Sequence, residues 1–515
     1  MLYPIGIQDF EGLRNDGFVY VDKTEIIYRL VKTGKYYFLS RPRRFGKSLL
    51  ISTLEAYFLG KKHLFKGLAM EQLEQEWLPY PILRIDFNTE KYDSVETLES
   101  KLENSLSIWE EIYGRRESET SISLRFEGVI QRACERHQRR VVILVDEYDK
   151  PLLQAIDDEP LRENFTATLK AFYGALKSMD AYIKFALLTG VTKFSKVSVF
   201  SDLNNLNDIS LDKQYYDICG ISETELHAYF DEGIKALAEA NNQTFEEACQ
   251  RLRYEYDGYH FYLDAPGMYN PFSLLNTLKN KEYKDYWFQT GTPTFLVKLL
   301  QRKDYPLQDL QGISVPPSAL DAKFDRNPIP VIYQSGYLTI AGRGERDFLK
   351  LDYPNNEVKL GFINFLMPYY NSKDEVEAPL AVWEFTKDLE AGRVEGFMTR
   401  LRSFFANAKF EQIGQDKEIW YENVIYLIML LAGQYVEAER HTSNGIIDLL
   451  IKCRRFIYVM EFKVGRSAEE ALAQINAKGY ALPFASDPRR LYKIGVNFDN
   501  AIRNIQKWAV EEVNK

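Results

Sequence analysis

Over the first 220 positions, apolar residues fall in short unbroken runs separated by amphipathic stretches. YYFLS (36–40), PILRIDF (81–87), VVILVDE (141–147) and IKFALLTG (183–190) read as strands buried on both faces. SLLISTLEAYFL (48–59) and LRENFTATLKAFYGALKS (161–178) carry their apolar residues at helical spacing. Strands and helices in alternation predict an α/β domain with a largely parallel sheet. From about residue 221 the period becomes helical, and SETELHAYFDEGIKALAEA opens with the Ser222–Glu225 pair of a capping box. YEYDGYHFY (254–262), YNPFSLLNTL (269–278) and the strand-like VIYQSGYLTI (331–340) follow. This stretch is expected to form a helical lid with a small winged-helix unit. The C-terminal part reads as a helix (VIYLIMLLAG), two strands (GIIDLLIK, FIYVMEFK), a helix (AEEALAQINAKGYA) and a last strand (LYKIGVNF), a small α/β unit of its own. The expected domains are therefore 1–220, 221–380 and 381–515.

Composition narrows the classes. A chain of 515 residues exceeds one ordinary core. With 45% hydrophobic and 27% charged residues it has the balance of a soluble globular protein. The four cysteines, Cys134, Cys219, Cys249 and Cys453, show no metal-type spacing, which points to a reducing compartment. No signal peptide is read at MLYPIGIQDF, and no apolar run approaches the ~20 residues that span a bilayer. A cytoplasmic protein without a membrane partner is expected. A net charge of −9 disfavours a broad nucleic-acid-coating surface and leaves room for a local basic groove.

Two clusters carry chemistry. In RPRRFGKSLL (41–50), Gly46-Lys47-Ser48 stands where a strand gives way to a helix. Backbone N–H groups at such a helix start face anionic oxygens. Lys47 can reach the β- and γ-phosphates of a nucleotide, and the Ser48 hydroxyl can ligate Mg²⁺. Arg43, Arg44, Phe45, Gly46, Lys47, Ser48 and Leu49 form the expected nucleotide-contacting segment. The usual first glycine of such a loop is replaced by Arg41, followed by Pro42. VVILVDEYDK then supplies a strand ending in Asp146, for the Mg²⁺ shell, and Glu147, to polarise the attacking water. Thr189, at the end of another buried strand, either senses the γ-phosphate or caps a turn. Asp149 supports this loop or is solvated.

The second cluster lies near the C-terminus. Glu461 and Lys463 share one face of a strand. If GIIDLLIK and FIYVMEFK form a hairpin about Arg454-Arg455, Cys453 faces Phe456 and Asp448 lies opposite Glu461. A slip of a residue or two keeps the carboxylates close but not opposed. Directly opposed carboxylates need a cation or a shifted proton. Asp448, Glu461 and the Phe462 carbonyl make an oxygen site suited to Mg²⁺ or Mn²⁺, and Lys463 can stabilise charge on a phosphodiester.

RPRRFGKSLL, FVYVDKTEIIYRL (18–30), LRIDFN and LVDEYDKPLL together resemble the AAA-ATPase-like family of P-loop proteins, related to archaeal and STAND-type ATPases. The resemblance extends over roughly the first 290 residues, through YDGYHF and YNPFSLLN, and in that family an arginine-rich loop start is normal. It implies ATP binding through Lys47, Ser48 and Asp146, with Glu147 as the hydrolytic residue. The C-terminal cluster resembles the PD-(D/E)XK nuclease superfamily. Glu422 matches its first acidic position, Asp448 its second motif, Glu461 and Lys463 its third, and Gln474 the glutamine of the following helix. Ile446 stands where that family often has an arginine-containing pair. The resemblance implies an ATP-dependent enzyme with a Mg²⁺- or Mn²⁺-dependent nuclease acting on nucleic acid, DNA in preference to RNA, and compatible with an oligomer. The competing expectation is a nucleotide-driven switch whose nuclease fold is degenerate and serves for docking.

Overall fold

The computed structural model describes residues 1–193, 205–288, 296, 300, 305–321, 327–370, 377–406, 423–429, 435–442, 445–499, 501–502 and 504–513. The chain divides into two compact units, Met1–Thr290 with Gly312–Val358, and Gly291–Gln311 with Lys359–Lys515.

The first unit is built on strands β1 (Tyr36–Ser40), β2 (Ile82–Asp86), β3 (Val141–Asp146), β4 (Ile183–Gly190) and β5 (Asn207–Asp208). They form one parallel sheet in the order β2-β3-β4-β1-β5. All six residues of β3 are buried, as expected for a strand covered on both faces. Alternate residues Val141, Ile143 and Val145 join a core with helices Val95–Tyr113, Ile122–His137 and Glu159–Ser178. In that core Phe126 stacks on Phe172 at 4.2 Å and on Trp109 at 5.7 Å. Between the helices, Arg125 donates to both Glu110 oxygens at 2.8 Å.

Residues beyond 220 complete this unit. Helix Glu223–Ala240 starts in the predicted capping box, with Ser222 and Glu225 bonded reciprocally. Helices Phe245–Tyr256 and Pro271–Asn280 pack with it in a second core. Short strands β6 (Ile221–Ser222) and β7 (Met268–Tyr269) pair antiparallel. Strands β8 (Ser314–Val315), β9 (Thr339–Arg343) and β10 (Leu349–Asp352) form a three-stranded antiparallel sheet. The stretch 331–340, read as strand from its apolar run, is instead a short helix (Ile329–Gln334) followed by β9. Pro328 and Pro330 favour a helix start there, and Gly336, at φ 89°, turns the chain out of it.

This two-unit division differs from the three-part reading. Residues 221–290 and 312–358 fall in one compact unit with the parallel sheet.

The second unit carries strands β11 (Tyr435–Thr442), β12 (Gly445–Lys452), β13 (Phe456–Val464), β14 (Arg490–Asp499) and β15 (Asn504–Val513). They form one sheet in that order, with β13 and β14 parallel and the other pairs antiparallel. Helix Ala468–Ala477 connects the parallel pair. β11 and β15 extend the sheet beyond the strands read from the sequence. Gly495 on β14 lets the connecting helix approach closely: a Cβ there would lie 2.2 Å from the Ala468 carbonyl oxygen and 2.5 Å from the Leu472 nitrogen. Gly495→Ala is therefore expected to lose about 1–3 kcal/mol of stability through overpacking, read as a lowered chemical-denaturation midpoint. An unchanged midpoint would mean that the helix yields freely. Among the described residues no helix is long and apolar enough to cross a membrane.

Candidate functional site

Ligands of open parallel sheets bind beyond the carboxyl ends of the strands, and the first cluster lies there. After β1 the chain turns through two left-handed residues, Arg44 (φ 67°) and Gly46 (φ 96°), into helix Lys47–Phe58. Gly46 adopts its conformation without strain, whereas a side chain there would not. Lys47 is 4% exposed. Its Nζ donates to the carbonyls of Arg41 (3.1 Å) and Pro42 (3.4 Å) and lies 3.2 Å from Glu147 Oε1. The ammonium is thus coiled inside its own loop, facing the acidic residue that follows β3.

β4 lies between β1 and β3, and its register places Thr189 beside Leu39. Thr189 is buried and donates its hydroxyl to Asp146 Oδ1 at 2.6 Å, which orients that carboxylate. Glu147 has a positive φ of 53°. The residues after it hold this turn. Tyr148 N–H donates to the Thr189 carbonyl at 3.0 Å. The Asp149 carboxylate, fully buried, accepts from the Val191 and Thr192 N–H groups and from the Thr192 hydroxyl. Burial and the nearby Glu147 charge push the Asp149 carboxyl above its ordinary range. Ser48 is partly exposed at the helix start. Its hydroxyl and the Asp146 carboxylate are hard oxygen donors of the kind Mg²⁺ takes.

The arginines of the loop have separate fates. Arg41, 1% exposed, donates through Nη1 to the Ser40 and Ser210 carbonyls and through Nη2 to those of Tyr215 and Tyr216. Its guanidinium lies 4.0 Å from the Phe261 ring centre. Burial lowers its pKa to about 10. Arg43 lies over Trp287 and Arg44 over Phe272. The Arg43 carbonyl accepts from Trp287 Nε1 (3.2 Å) and Asn270 Nδ2 (3.4 Å). Phe45, 1% exposed, packs edge-on against Tyr259 and Phe261. Leu49 is partly buried. A loop poor in glycine is thus shaped from outside, by the segment that follows the sheet. In the sequence Arg41 stands as a departure from the usual loop; Asn270 has no signal beyond its place in YNPFSLLN, and Trp287 none beyond the aromatic density of 254–290.

Behind Trp287 lies Glu357, 1% exposed, which accepts from the Trp287 N–H (2.8 Å) and the Ser273 hydroxyl (2.9 Å). Burial raises its pKa from 4.5 to about 8. A carboxyl raised on folding stabilises fully below its unfolded pKa, and this contribution is lost as pH rises through 8. Glu357→Gln is expected to flatten the fall in melting temperature between pH 6 and 9 and to melt above wild type at pH 9. Parallel pH profiles for the two proteins would contradict this.

The second cluster lies on the C-terminal sheet. Cys453 N–H donates to the Phe456 carbonyl, closing the hairpin about Arg454 and Arg455. The β12–β13 register runs from Lys452 with Ile457 to Leu449 with Met460, and Asp448 and Glu461 are the next residue of each strand. Asp448 Oδ2 accepts from the Phe462 N–H at 2.8 Å. Glu461 is 1% exposed. Its Oε1 accepts from Lys463 Nζ at 2.8 Å and from Gln474 Nε2 of the connecting helix. Asp448, Glu461, Lys463 and Gln474 are thus brought to one place. Two adjacent carboxylates, one buried, form a donor set that fits a small divalent cation. Glu422 lies outside the described residues.

The description "Predicted AAA-ATPase" matches residues 4–200, and the PD-(D/E)XK nuclease superfamily matches residues 416–508. The uncharacterized protein in the vnfD 5' region of Azotobacter chroococcum mcd 1 is 35% identical over 99% of this chain and 99% of its own length. The structure of the Aeropyrum pernix ORC2 protein in ADPNP–ADP complexes covers 67% of this chain and 88% of its own at 9% identity, with a TM-score of 0.17, too low to bear on the fold. The chain belongs to the same family as the Azotobacter protein, with an N-terminal AAA-ATPase-like domain and a C-terminal PD-(D/E)XK nuclease superfamily domain.

Proposed function

We propose that this protein hydrolyses ATP at the Lys47 loop and cleaves nucleic acid at the Asp448–Glu461 centre, with DNA preferred over RNA, ATP turnover controlling cleavage and the cytoplasm as its location. Lys47 and the N–H groups of the loop bind the triphosphate. Ser48 and Asp146 hold Mg²⁺, Thr189 orients Asp146, and Glu147 activates water once Lys47 turns to phosphate. At the second centre Asp448, Glu461 and the Phe462 carbonyl hold Mg²⁺ or Mn²⁺, which supplies Lewis acidity. Lys463 faces the phosphodiester, and Gln474 fixes the Glu461 carboxylate. Glu422 completes the acidic set.

The observation that carries this reading is the gathering of Asp448, Glu461, Lys463 and Gln474 around one buried carboxylate. A surface ion pair would not require a glutamine from a separate helix to donate to the same oxygen. The test is incubation of supercoiled plasmid, single-stranded DNA and RNA with Mg²⁺ or Mn²⁺, with and without ATP. Metal-dependent cleavage altered by ATP supports the reading. ATP turnover without cleavage of any substrate favours instead a nucleotide-driven switch with a docking nuclease fold, the reading to which Ile446 points.

A further inference from the structure

On the sheet face that carries Asp448, Glu461 and Lys463, the residue beside Lys463 is also polar. β13 and β14 run parallel, and their register pairs Glu461 with Gly495 and Lys463 with Asn497. Residues paired in register point to the same side of a sheet, on strands about 5 Å apart. Asn497 is therefore the neighbour of Lys463 on the face of the carboxylates. It is only 8% exposed. Its Nδ2 donates to Gln506 Oε1 at 2.7 Å, while its Oδ1 has no hydrogen-bond partner among the described residues.

An irregularity in the sheet fixes this amide. The β14–β15 register pairs Asn497 with Lys507 and Phe498 with Ile505, so Gln506 is an extra residue in β15. Such bulges redirect side chains and recur beside active sites. Here the extra residue engages Nδ2 and leaves Oδ1 presented. The neighbouring Lys507 does not supply a donor, since its ammonium is paired with Glu469. A buried acceptor held ready in this way calls for a donor.

Lys463 is the donor at hand. In the structure its ammonium lies on Glu461 Oε1. A divalent cation between Asp448 and Glu461 draws on that same carboxylate and repels the ammonium. The lysine then needs another acceptor on the same face, and its in-register neighbour offers one.

We propose that Asn497 is a positioning residue for Lys463: when Glu461 holds a divalent cation, the Lys463 ammonium moves from Glu461 Oε1 to Asn497 Oδ1. The lysine thereby stays on the site face as a fixed positive charge, available to a phosphodiester oxygen. This inference depends on the reading of Asp448 and Glu461 as a metal centre.

The test is Mn²⁺ binding to the full chain, followed by electron paramagnetic resonance, with the Glu461→Ala protein as the reference for ions held elsewhere. Asn497→Ala is expected to weaken Mn²⁺ binding about tenfold, because the displaced ammonium loses its acceptor. In a Lys463→Met background the same substitution is expected to change affinity less than about twofold, since no ammonium needs placing. Asn497→Asp keeps an acceptor oxygen and is expected to bind at least as tightly as wild type. Should Asn497→Ala melt early without Mn²⁺, Asn497→Ser, which shortens the acceptor arm, repeats the comparison. Equal weakening in both backgrounds, or none in the wild-type background, overturns the proposal while leaving the metal centre intact. Wild-type protein that holds no more Mn²⁺ than Glu461→Ala overturns the metal centre itself.

Discussion

A Lys47→Ala protein is expected to bind Mg²⁺–ATP at least about a hundredfold more weakly than wild type, a loss on the scale of charge-assisted phosphate contacts made in a water-poor site. Two effects act together. The triphosphate loses an ammonium held inside the loop, 4% exposed and already turned toward the loop carbonyls. Glu147, which lies 3.2 Å from that ammonium, keeps its carboxylate and now repels the phosphates. Glu147→Gln separates these contributions. It removes the repulsion without removing the lysine, so ATP affinity is expected to hold or rise. Turnover is expected to fall by about 10²–10⁴-fold with the loss of the proposed general base. Calorimetric titration and single-turnover hydrolysis read the two quantities. Full ATP affinity in Lys47→Ala would refute the assignment of the loop.

The second large effect is expected at the C-terminal sheet. Glu461→Ala should reduce metal-dependent cleavage by about 10³-fold or more, since it removes the proposed cation ligand and the common acceptor of Lys463 and Gln474. Lys463→Ala should lower kcat at saturating Mg²⁺, because in the proposed mechanism the lysine acts on the phosphodiester, while its competition with the cation for Glu461 is overcome at high metal. Lys463→Arg retains charge but not the compact ammonium geometry, and is expected to recover only part of the rate. Plasmid cleavage at matched protein and metal concentrations gives these ratios. Cleavage that continues unaltered in both alanine variants would take this cluster out of the mechanism.

Much of this was legible because charge at the end of a buried strand is expensive. Asp146, Glu147, Glu461 and Lys463 stand out against apolar runs, and the hairpin register follows from chain counting about Arg454 and Arg455. Residues whose contribution is made by shape were harder to see. Arg41 looks like a broken motif until its guanidinium is found donating to four carbonyls. Asn497 looks like an ordinary strand residue, since a one-residue bulge in β15 leaves no compositional mark. β15 itself mixes charged with apolar positions, half-exposed along most of its length, which hid its membership of the sheet. At 328–334 two prolines, Pro328 and Pro330, outweighed an apolar run that reads as strand.

The replacement of a loop glycine by Arg41 bears on when the nucleotide site comes into being. Three of the four carbonyls that receive its guanidinium belong to residues 210–216, and the rings that seat Phe45 and Arg43 belong to 259–287. As the chain leaves the ribosome, every residue of the phosphate-binding motif emerges long before the parts that mould it. A nascent chain released at residue 220 would carry the complete motif and the 210–216 carbonyls yet lack the rings of 259–287, so ATP capture is deferred until some seventy further residues have folded against the loop.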